Sequence, residues 1–354
     1  MDLLRRVITY PFIVANEFPA RTKNWIQIRI LRRHEKFVLY GLLPEAKDIA
    51  ILAVFPGTTT FGSVIRVARW LEEAGYSLII VINENPLSEA WVAKLHAPGR
   101  VLLARPNIGS DFGAYQLALK LIRSKKHSIQ NLVIANDSMV YHPESHITVA
   151  RVINIESQDI CNSLFLNMQG VIHAPSMLLR FGREVLVQKD FWEFWEKYFP
   201  YISKRKIISK GEHTLTKVVG WKNITPVLST SSLPGEIDLL TTEFLQLLRW
   251  SFLVDPILAE IAMLNHEKKI IHYLVEFAFE NFHVSDSLGL YCARQLQAPL
   301  KLDLAKRGLV TKQAVLDAMK VQNLEDSELI ELQRILENKE SYTTKTLLQR
   351  LFRT

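Results

Sequence analysis

Four short apolar runs, each separated from the next by a segment long enough for a helix, dominate residues 49–135 of this 354-residue chain. We predict that they are strands at Ala50–Phe55, Leu78–Ile82, Val101–Ala104 and Leu132–Ala135. Runs of this length that are apolar at every position are typical of strands buried on both faces. Repeated strand–helix units of this kind predict an α/β fold with a mostly parallel, Rossmann-like sheet flanked by helices.

Polar residues cluster directly after the third and the fourth predicted strand. The first cluster is N-I-G-S-D-F-G at 107–113, and the second is N-D-S at 136–138. In an open parallel sheet, ligands bind beyond the carboxyl ends of the strands. The two clusters therefore predict one crevice for a ligand with phosphates and hydroxyls. The candidate binding residues are Asn83, Asn107, Gly109, Asp111, Gly113, Asn136 and Ser138.

Each cluster also has a simpler interpretation. The glycines suit a tight turn whose backbone N–H groups meet an anion at a helix N-terminus. Their G-x-x-x-G spacing is not the dinucleotide fingerprint, however, and no P-loop lysine follows. Taken singly, this cluster is better explained by Asp111 as the N-cap of the next helix. Asp137 can hold Mg²⁺ or Mn²⁺ against a diphosphate, or it can belong to a polar turn.

Glu212 opens a predicted helix that begins near Gly211. It can accept the proton of an attacking hydroxyl, or it can be a favourable acid in the first helical turn. Three histidines lie near these segments without the spacing of metal ligands, and we interpret them as structural or substrate-lining: His142, His173 and His213.

Charge and cysteine content limit the classes of partner. Residues 1–40 hold eight Lys and Arg against three acids, and so carry five of the seven net positive charges. This segment either lies on an anionic membrane surface or packs on the domain with a solvated basic face. No nucleic-acid-binding module accompanies it. The two cysteines, Cys161 and Cys292, lack C-x-x-C spacing, which argues against a disulfide framework or zinc site and is compatible with a reducing cytosol.

Several short motifs follow one another in a fixed order along the chain. They are N-x-G-x-D at 107–111, N-D-S at 136–138, Gln169, F-W-E-F-W at 191–195, Glu212 with Leu215 and Thr216, Gly220 before Trp221, and P-L-K-L-D-L-A-K-R at 299–307. In this order they resemble the rhamnan synthesis protein F family, bacterial glycosyltransferase-like proteins of polysaccharide assembly. Two departures are Gly170-Val171 after Gln169, where the family has Ser-Tyr, and M-V-Y-H before Pro143, without the family's glycine.

The resemblance implies a GT-A-type, inverting glycosyltransferase with a nucleotide-sugar donor and a growing polysaccharide or lipid-linked glycan as acceptor. The family name suggests rhamnose as the sugar. Asp137 would face the diphosphate and its cation, Glu212 would be the base, and Gln169 and Trp221 would lie on the acceptor side. The departures favour the alternative, a non-catalytic nucleotide-sugar-binding or scaffold protein of the same assembly machinery.

The domain organisation follows from the same patterns. We predict a basic amphipathic arm at 1–47, a GT-A-like domain at 48–305 and a helical appendage at 306–354. No run of the sequence is apolar enough to predict a transmembrane helix. We therefore expect a cytoplasmic location, peripheral on the inner face of the cytoplasmic membrane if the arm binds anionic lipid.

Overall fold

A central sheet of eight strands organises the structure, a computed structural model that describes residues 37–84, 88–168, 170–201, 203–229, 289–306 and 310–337. The strands are β1 Val38–Tyr40, β2 Asp48–Val54, β3 Ser77–Ile82, β4 Val101–Ala104, β5 Asn131–Asn136, β7 Cys161–Ser163, β8 Leu178–Phe181 and β9 Ile224–Pro226. A separate antiparallel pair consists of β6 Met139–Val140 and β10 Leu300–Lys301. Most of the predicted arm, Gln169, and the predicted helical segments at 240–288 and 338–354 lie outside the described residues.

The spatial order of the sheet is β1-β4-β3-β2-β5-β8-β7-β9. Strands β4, β3, β2 and β5 run parallel to one another, as do β7 and β9. The antiparallel pairs are β1 with β4 and β8 with both β5 and β7. The prediction of a mixed α/β fold with a mostly parallel central sheet flanked by helices is therefore confirmed.

Helices cover both faces of this sheet. The described helices are α1 Phe61–Glu73, α2 Glu89–Leu95, α3 Ser110–Leu121, α4 His146–Ile153, α5 Arg183–Leu186, α6 Lys189–Lys197, α7 Lys204–Ile207, α8 His213–Val219, α9 Gly289–Gln295, α10 Asp303–Lys306, α11 Lys312–Val321 and α12 Asp326–Glu337. Helices α1 and α4 pack on one face, and α3 and α6 pack on the other. No helix among the described residues is both long and apolar enough to cross a membrane.

Strand β2 shows why the apolar runs predict the sheet correctly. Its even-numbered residues from Ala50 to Val54 pack into the cluster with α1, and its odd-numbered residues from Ile49 to Ala53 pack into the cluster with α3. A strand covered on both faces must be apolar at every position, because successive side chains point to opposite faces. The four predicted strands consequently differ from the observed ones by at most two residues at either end.

Three predictions after β4 need correction. The N-cap of α3 is Gly109, in the left-handed conformation, rather than Asp111, which lies within the first turn of the helix. The predicted strand over Asn162–Met168 is observed only at Cys161–Ser163, followed by a single bridge between Asn167 and His173. The helix expected to begin near Gly211 begins earlier, and Glu212 ends a π-helical turn between α7 and α8.

Candidate functional site

The order of the parallel strands defines where a ligand crevice would lie. The chain runs outward from β2 through β3 to β4 and then returns to place β5 on the other side of β2. This reversal is the topological switch point of a doubly wound sheet, where ligands bind beyond the carboxyl ends of the strands. The loop after β2 and the N-D-S segment after β5 meet at this point.

Asp137 joins these two segments. Its Oδ2 accepts hydrogen bonds from the backbone N of Phe55 at 2.6 Å and from the hydroxyl of Thr58 at 3.2 Å. Asp137 is only 2% exposed, and this burial raises the pKa of its carboxyl to about 8. In this position Asp137 fixes the loop after β2.

A divalent cation does not fit these contacts of Asp137. The carboxylate is almost fully buried and its Oδ2 is already bonded to Phe55 and Thr58, whereas a Mg²⁺ or Mn²⁺ ligand must be open to the ion. Within the described residues, no group of three or more His, Cys, Asp or Glu side chains could hold a metal. The dependence on Mg²⁺ or Mn²⁺ stays a prediction.

A second polar cluster, which we name the Ser176 cluster, brings together Asp111, Asn136, Ser176, His173 and Glu212. The hydroxyl of Ser176 lies 2.8 Å from Oδ2 of Asp111 and 2.9 Å from Oε1 of Glu212. Asn136 donates from its side-chain amide to the same Asp111 oxygen at 3.1 Å. Ser176 precedes β8, whose start lies beside the end of β5, so the cluster lies at the carboxyl edge of the parallel strands.

Glu212 is held at both of its oxygens. Oε1 also accepts from the backbone N of Ser176 at 3.0 Å, and Oε2 lies 3.7 Å from Nε2 of His173. The side chain of Glu212 is 13% exposed, and so it retains some access to solvent. His173 places its other nitrogen, Nδ1, 2.8 Å from the carbonyl of Val171, and its ring lies 4.6 Å from that of His213. Because a carbonyl only accepts, Nδ1 carries a proton, and Nε2 is the nitrogen turned toward Glu212.

The two carboxylates of the Ser176 cluster compete for one hydroxyl proton. Ser176 can donate to Asp111 or to Glu212 but not to both at once. Burial first, and then the nearby Glu212 charge, raise the pKa of Asp111 to about 6. Asp111 therefore takes up a proton as the pH falls through about 6.

The glycines of the first cluster have structural roles. A Cβ on Gly109 would lie 2.4 Å from Cβ of Pro200, and Gly109 has a φ of +77°. A Cβ on Gly113 would lie 2.0 Å from the carbonyl oxygen of Ile108. Both positions exclude larger residues by packing within the protein, so their conformation alone does not indicate a phosphate.

The remaining predicted residues lie at different depths around this edge. Asn83 donates to the carbonyl of Val54 and accepts from the buried guanidinium of Arg105. Ser138 donates from its N and its hydroxyl to Oδ1 of Asn136. Asn107 is exposed, and Trp221 is a half-exposed aromatic side chain on the turn after α8. Gln169 lies outside the described residues.

The N-terminus of α1, directly after the switch-point loop, is occupied by two carboxylates of α12. The N-cap Thr60 donates its hydroxyl to Oε1 of Glu328. The backbone N of Phe61 donates to both oxygens of Glu331, at 3.2 and 3.1 Å. Arg66, one turn further along α1, forms an ion pair of 2.7 Å with Glu328. Sequence reasoning did not find this contact, because Thr60 and Glu328 are 268 residues apart.

Sequence reasoning also did not single out Ser176, Arg66 or Arg105. Ser176 lies in a segment without helical or strand periodicity, and only the fold brings it to Asp111. Arg105 begins the R-P-N-I-G motif and is fully buried, where it donates to the carbonyl of Ile108. An arginine directly after an apolar strand was the one available signal for it.

The structure thus defines a mixed α/β protein with polar clusters at the carboxyl edge of a parallel sheet. No family model matches the chain. The chain is similar to the uncharacterized protein y4gN of Sinorhizobium fredii, with 26% identity over 180 residues. The matched segment is 50% of this chain and 47% of that protein, so the chain spans about half the length of this relative.

Proposed function

We propose that this protein is a GT-A-like glycosyltransferase that moves a sugar from a nucleotide-sugar donor to a growing polysaccharide or lipid-linked glycan. The observation that carries the proposal is the Ser176 cluster, in which Asp111 and Glu212 both contact one hydroxyl at the carboxyl edge of the parallel sheet. The order of motifs that resembles the rhamnan synthesis protein F family supports the sugar as the transferred group. Rhamnose is the sugar that the family name suggests.

The chemistry assigned to Glu212 is general base catalysis. An acceptor hydroxyl oxygen attacks the anomeric carbon of the donor, the bond from that carbon to the diphosphate breaks, and a nucleoside diphosphate leaves. The hydroxyl proton passes to Glu212, and in-line attack inverts the anomeric centre. Asp111 lies beside this base, because the hydroxyl of Ser176 contacts both carboxylates.

The donor and acceptor would approach the cluster from different sides. Asn136, Ser138 and the loop after β2 border the switch point, where the nucleotide of a doubly wound fold binds. Trp221 offers an exposed aromatic face near the end of α8, a surface on which a sugar ring can stack. Transfer at the inner face of the cytoplasmic membrane, aided by the basic segment at 1–40, is part of the proposal.

The test is a donor screen with released nucleotide as the readout. We expect turnover with one of the UDP-, GDP- or dTDP-sugars and a glycan acceptor. Glu212→Gln should lower kcat by about 100-fold or more, because a positioned base contributes at least this factor. Its affinity for the donor should stay within about threefold of the wild type, since the amide keeps the contact to Ser176.

Glu184→Gln is the matched control, because Glu184 is an exposed acid on α5. Its kcat should equal that of the wild type. If Glu212→Gln turns over as fast as the control, Glu212 is not the base. If calorimetry detects no affinity for any of these nucleotide sugars, the proposed function is wrong.

The second candidate is a non-catalytic nucleotide-sugar-binding or scaffold protein. It is favoured by the carboxylates of α12, which occupy the helix N-terminus beside the switch point. Under this hypothesis the protein binds a nucleotide sugar and releases no nucleotide with any acceptor. Glu212→Gln would then change neither binding nor assembly of the glycan.

A further inference from the structure

We propose that α12 is an autoinhibitory element and that Glu328 and Glu331 occupy a binding site for a phosphate-class anion at the N-terminus of α1. The class of ligand, a diphosphate, rests on the proposed function. The competition itself rests on the contacts between α12 and α1. A ligand that binds at this helix terminus must displace the two carboxylates.

The carboxylates use the groups that bind anions at helix N-termini. Phe61 donates its backbone N to Glu331, and the N-cap Thr60 donates its hydroxyl to Glu328. Helix α1 has 13 residues, so its macrodipole is fully developed at this end. Phosphate groups bind to the same donors in nucleotide-binding folds, most often after the first strand of the parallel sheet. Here that strand is β2.

The backbone of α1 leaves room for an approaching anion. A Cβ on Gly62 would lie 2.7 Å from both Cδ and Oε2 of Glu328, so a larger residue there would push this carboxylate away from the helix terminus. Arg66 pairs with Glu328, and the ammonium of Lys94 lies 4.4 Å from the ring centroid of Phe61. Two cations therefore flank the helix terminus.

Thr59 provides an independent sign of a ligand. It precedes the N-cap and is 3% exposed, yet its hydroxyl has no hydrogen-bond partner within the described part of the chain. A buried hydroxyl normally has a partner, because an unsatisfied one has lost its hydrogen bonds to water without replacement. The carboxylates of α12 satisfy Thr60 and Phe61 but not Thr59. An anion with more acceptor oxygens than a carboxylate, such as a phosphate, can serve all three.

Helix α12 belongs to a separate apolar cluster. Its buried residues pack with α9, α11, Val140 and Leu300, and this cluster contains no residue of α1. The contacts from α12 to the N-terminus of α1 are hydrogen bonds and an ion pair. Contacts of this kind can be replaced by a competing anion, whereas an apolar interface would have to be exposed to water.

The test measures binding of inorganic pyrophosphate to the full chain by calorimetry. The double variant Glu328→Gln with Glu331→Gln removes both negative charges and keeps an acceptor oxygen for Thr60 and Phe61. We expect it to bind pyrophosphate about tenfold more tightly than the wild type, because the neutral amides compete less well for the helix terminus. Hydrogen exchange at Phe61–Ser63 should slow when pyrophosphate is added to this variant.

The matched control is Glu325→Gln with Glu337→Gln, two exposed acids of which one directly precedes α12 and the other is its last residue. It makes the same change in net charge and should bind pyrophosphate like the wild type. Equal affinity for pyrophosphate in all three proteins, or no binding in any, overturns the proposal. A double variant that unfolds more easily than the wild type but binds pyrophosphate no more tightly overturns it as well. If the double variant does not fold, Glu331→Gln alone must bind more tightly than the wild type.

The same proteins separate this proposal from the proposed function. If the double variant binds pyrophosphate more tightly and the protein has no affinity for any nucleotide sugar, the proposed autoinhibitory contact is supported and the proposed glycosyltransferase function is wrong. If the wild type transfers a sugar and the double variant has unchanged affinity for pyrophosphate, the proposed glycosyltransferase function is supported and the proposed autoinhibitory contact is wrong.

Discussion

Asp111 follows β4 and Asp137 follows β5, the next strand along the chain. The two residues have the same side chain, but their neighbours give them different chemistry. Asp137 accepts from Phe55 and Thr58, which belong to the loop that it fixes. Asp111 instead shares Ser176 with Glu212. Burial raises the pKa of both carboxyls, to about 8 for Asp137 and about 6 for Asp111. Asp137 holds the loop after β2, and Asp111 is part of the proposed site.

The raised pKa of Asp137 predicts how stability depends on pH. An unfolded aspartate ionises near pH 4, so folding takes up a proton between about pH 4 and pH 8, and stability falls as the pH rises through this window. Asp137→Asn removes this titration and keeps an acceptor for Phe55. We expect its Tm to exceed that of the wild type at pH 8 and to match it at pH 5.

Asp137→Ala is the contrasting variant. It leaves the backbone N of Phe55 without its acceptor and should lower the free energy of unfolding at pH 5 by about 1–3 kcal/mol. The measurement is thermal unfolding of the three proteins from pH 5 to pH 9. If the Tm values of the wild type and Asp137→Asn change in parallel from pH 5 to pH 9, Asp137 does not titrate in this range.

Residue-level prediction from the sequence reached the groups that follow the strands, and it reached Glu212 at the start of a predicted helix. Asn136, Asp137 and Asp111 were found because apolar strands end directly before them or before their turn. Ser176 and Glu328 were not, since each meets its partner across a long stretch of chain, 65 residues from Ser176 to Asp111. Nothing in the local pattern of a lone serine or of a helical glutamate distinguishes it from a solvated residue.

At the scale of elements, the turn between β4 and α3 depends on a distant helix. Gly109 at the start of α3 lies against Pro200, which follows α6. Phe112 of α3 stacks on Trp195 of α6, with ring centroids 5.5 Å apart. Phe112 also limits the π-helical turn, because a Cβ on Gly211 would lie 3.0 Å from its ring. Helix α6 and Pro200 thus position the turn with Asp111, and Phe112 of α3 contacts the turn with Glu212.

Gly109→Ala should therefore cost more than an ordinary glycine replacement. Gly109 and Gly99 both have positive φ, +77° and +83°, but only Gly109 has an atom within 4 Å of an added Cβ. Gly99→Ala should lower the free energy of unfolding by about 1–2 kcal/mol through backbone strain. Gly109→Ala should lower it by a further 1–3 kcal/mol or so, because its Cβ collides with Pro200.

Urea denaturation of the two variants and the wild type measures the difference. Equal losses in the free energy of unfolding for Gly109→Ala and Gly99→Ala would mean that α3 and Pro200 separate easily.

The sequence indicated the four strands and the aromatic helix α6, since hydrophobic spacing encodes them. It did not indicate the π-helical turn, because that turn depends on how Phe112 packs against Gly211.

At the scale of the whole molecule, the described residues form three apolar clusters. Two lie on opposite faces of the central sheet, and the third joins α9, α11 and α12 to the β6–β10 pair. The sequence predicted a helical appendage from residue 306 onward. Its described part is helical and packs on this third cluster, while its acids contact α1.

A separate third cluster predicts that α12 can be weakened without unfolding the sheet. Leu332 is fully buried in this cluster, whereas Ile330 on the same helix is 53% exposed. Leu332→Ala should destabilise the C-terminal helices by about 2–5 kcal/mol, and Ile330→Ala should change their stability by less than about 0.5 kcal/mol. Hydrogen exchange checks this, with faster exchange expected in α11 and α12 of Leu332→Ala and unchanged exchange in β2 and β5. Uniformly faster exchange, including the central strands, would show that the third cluster unfolds only together with the sheet, and α12 could then not leave α1 on its own.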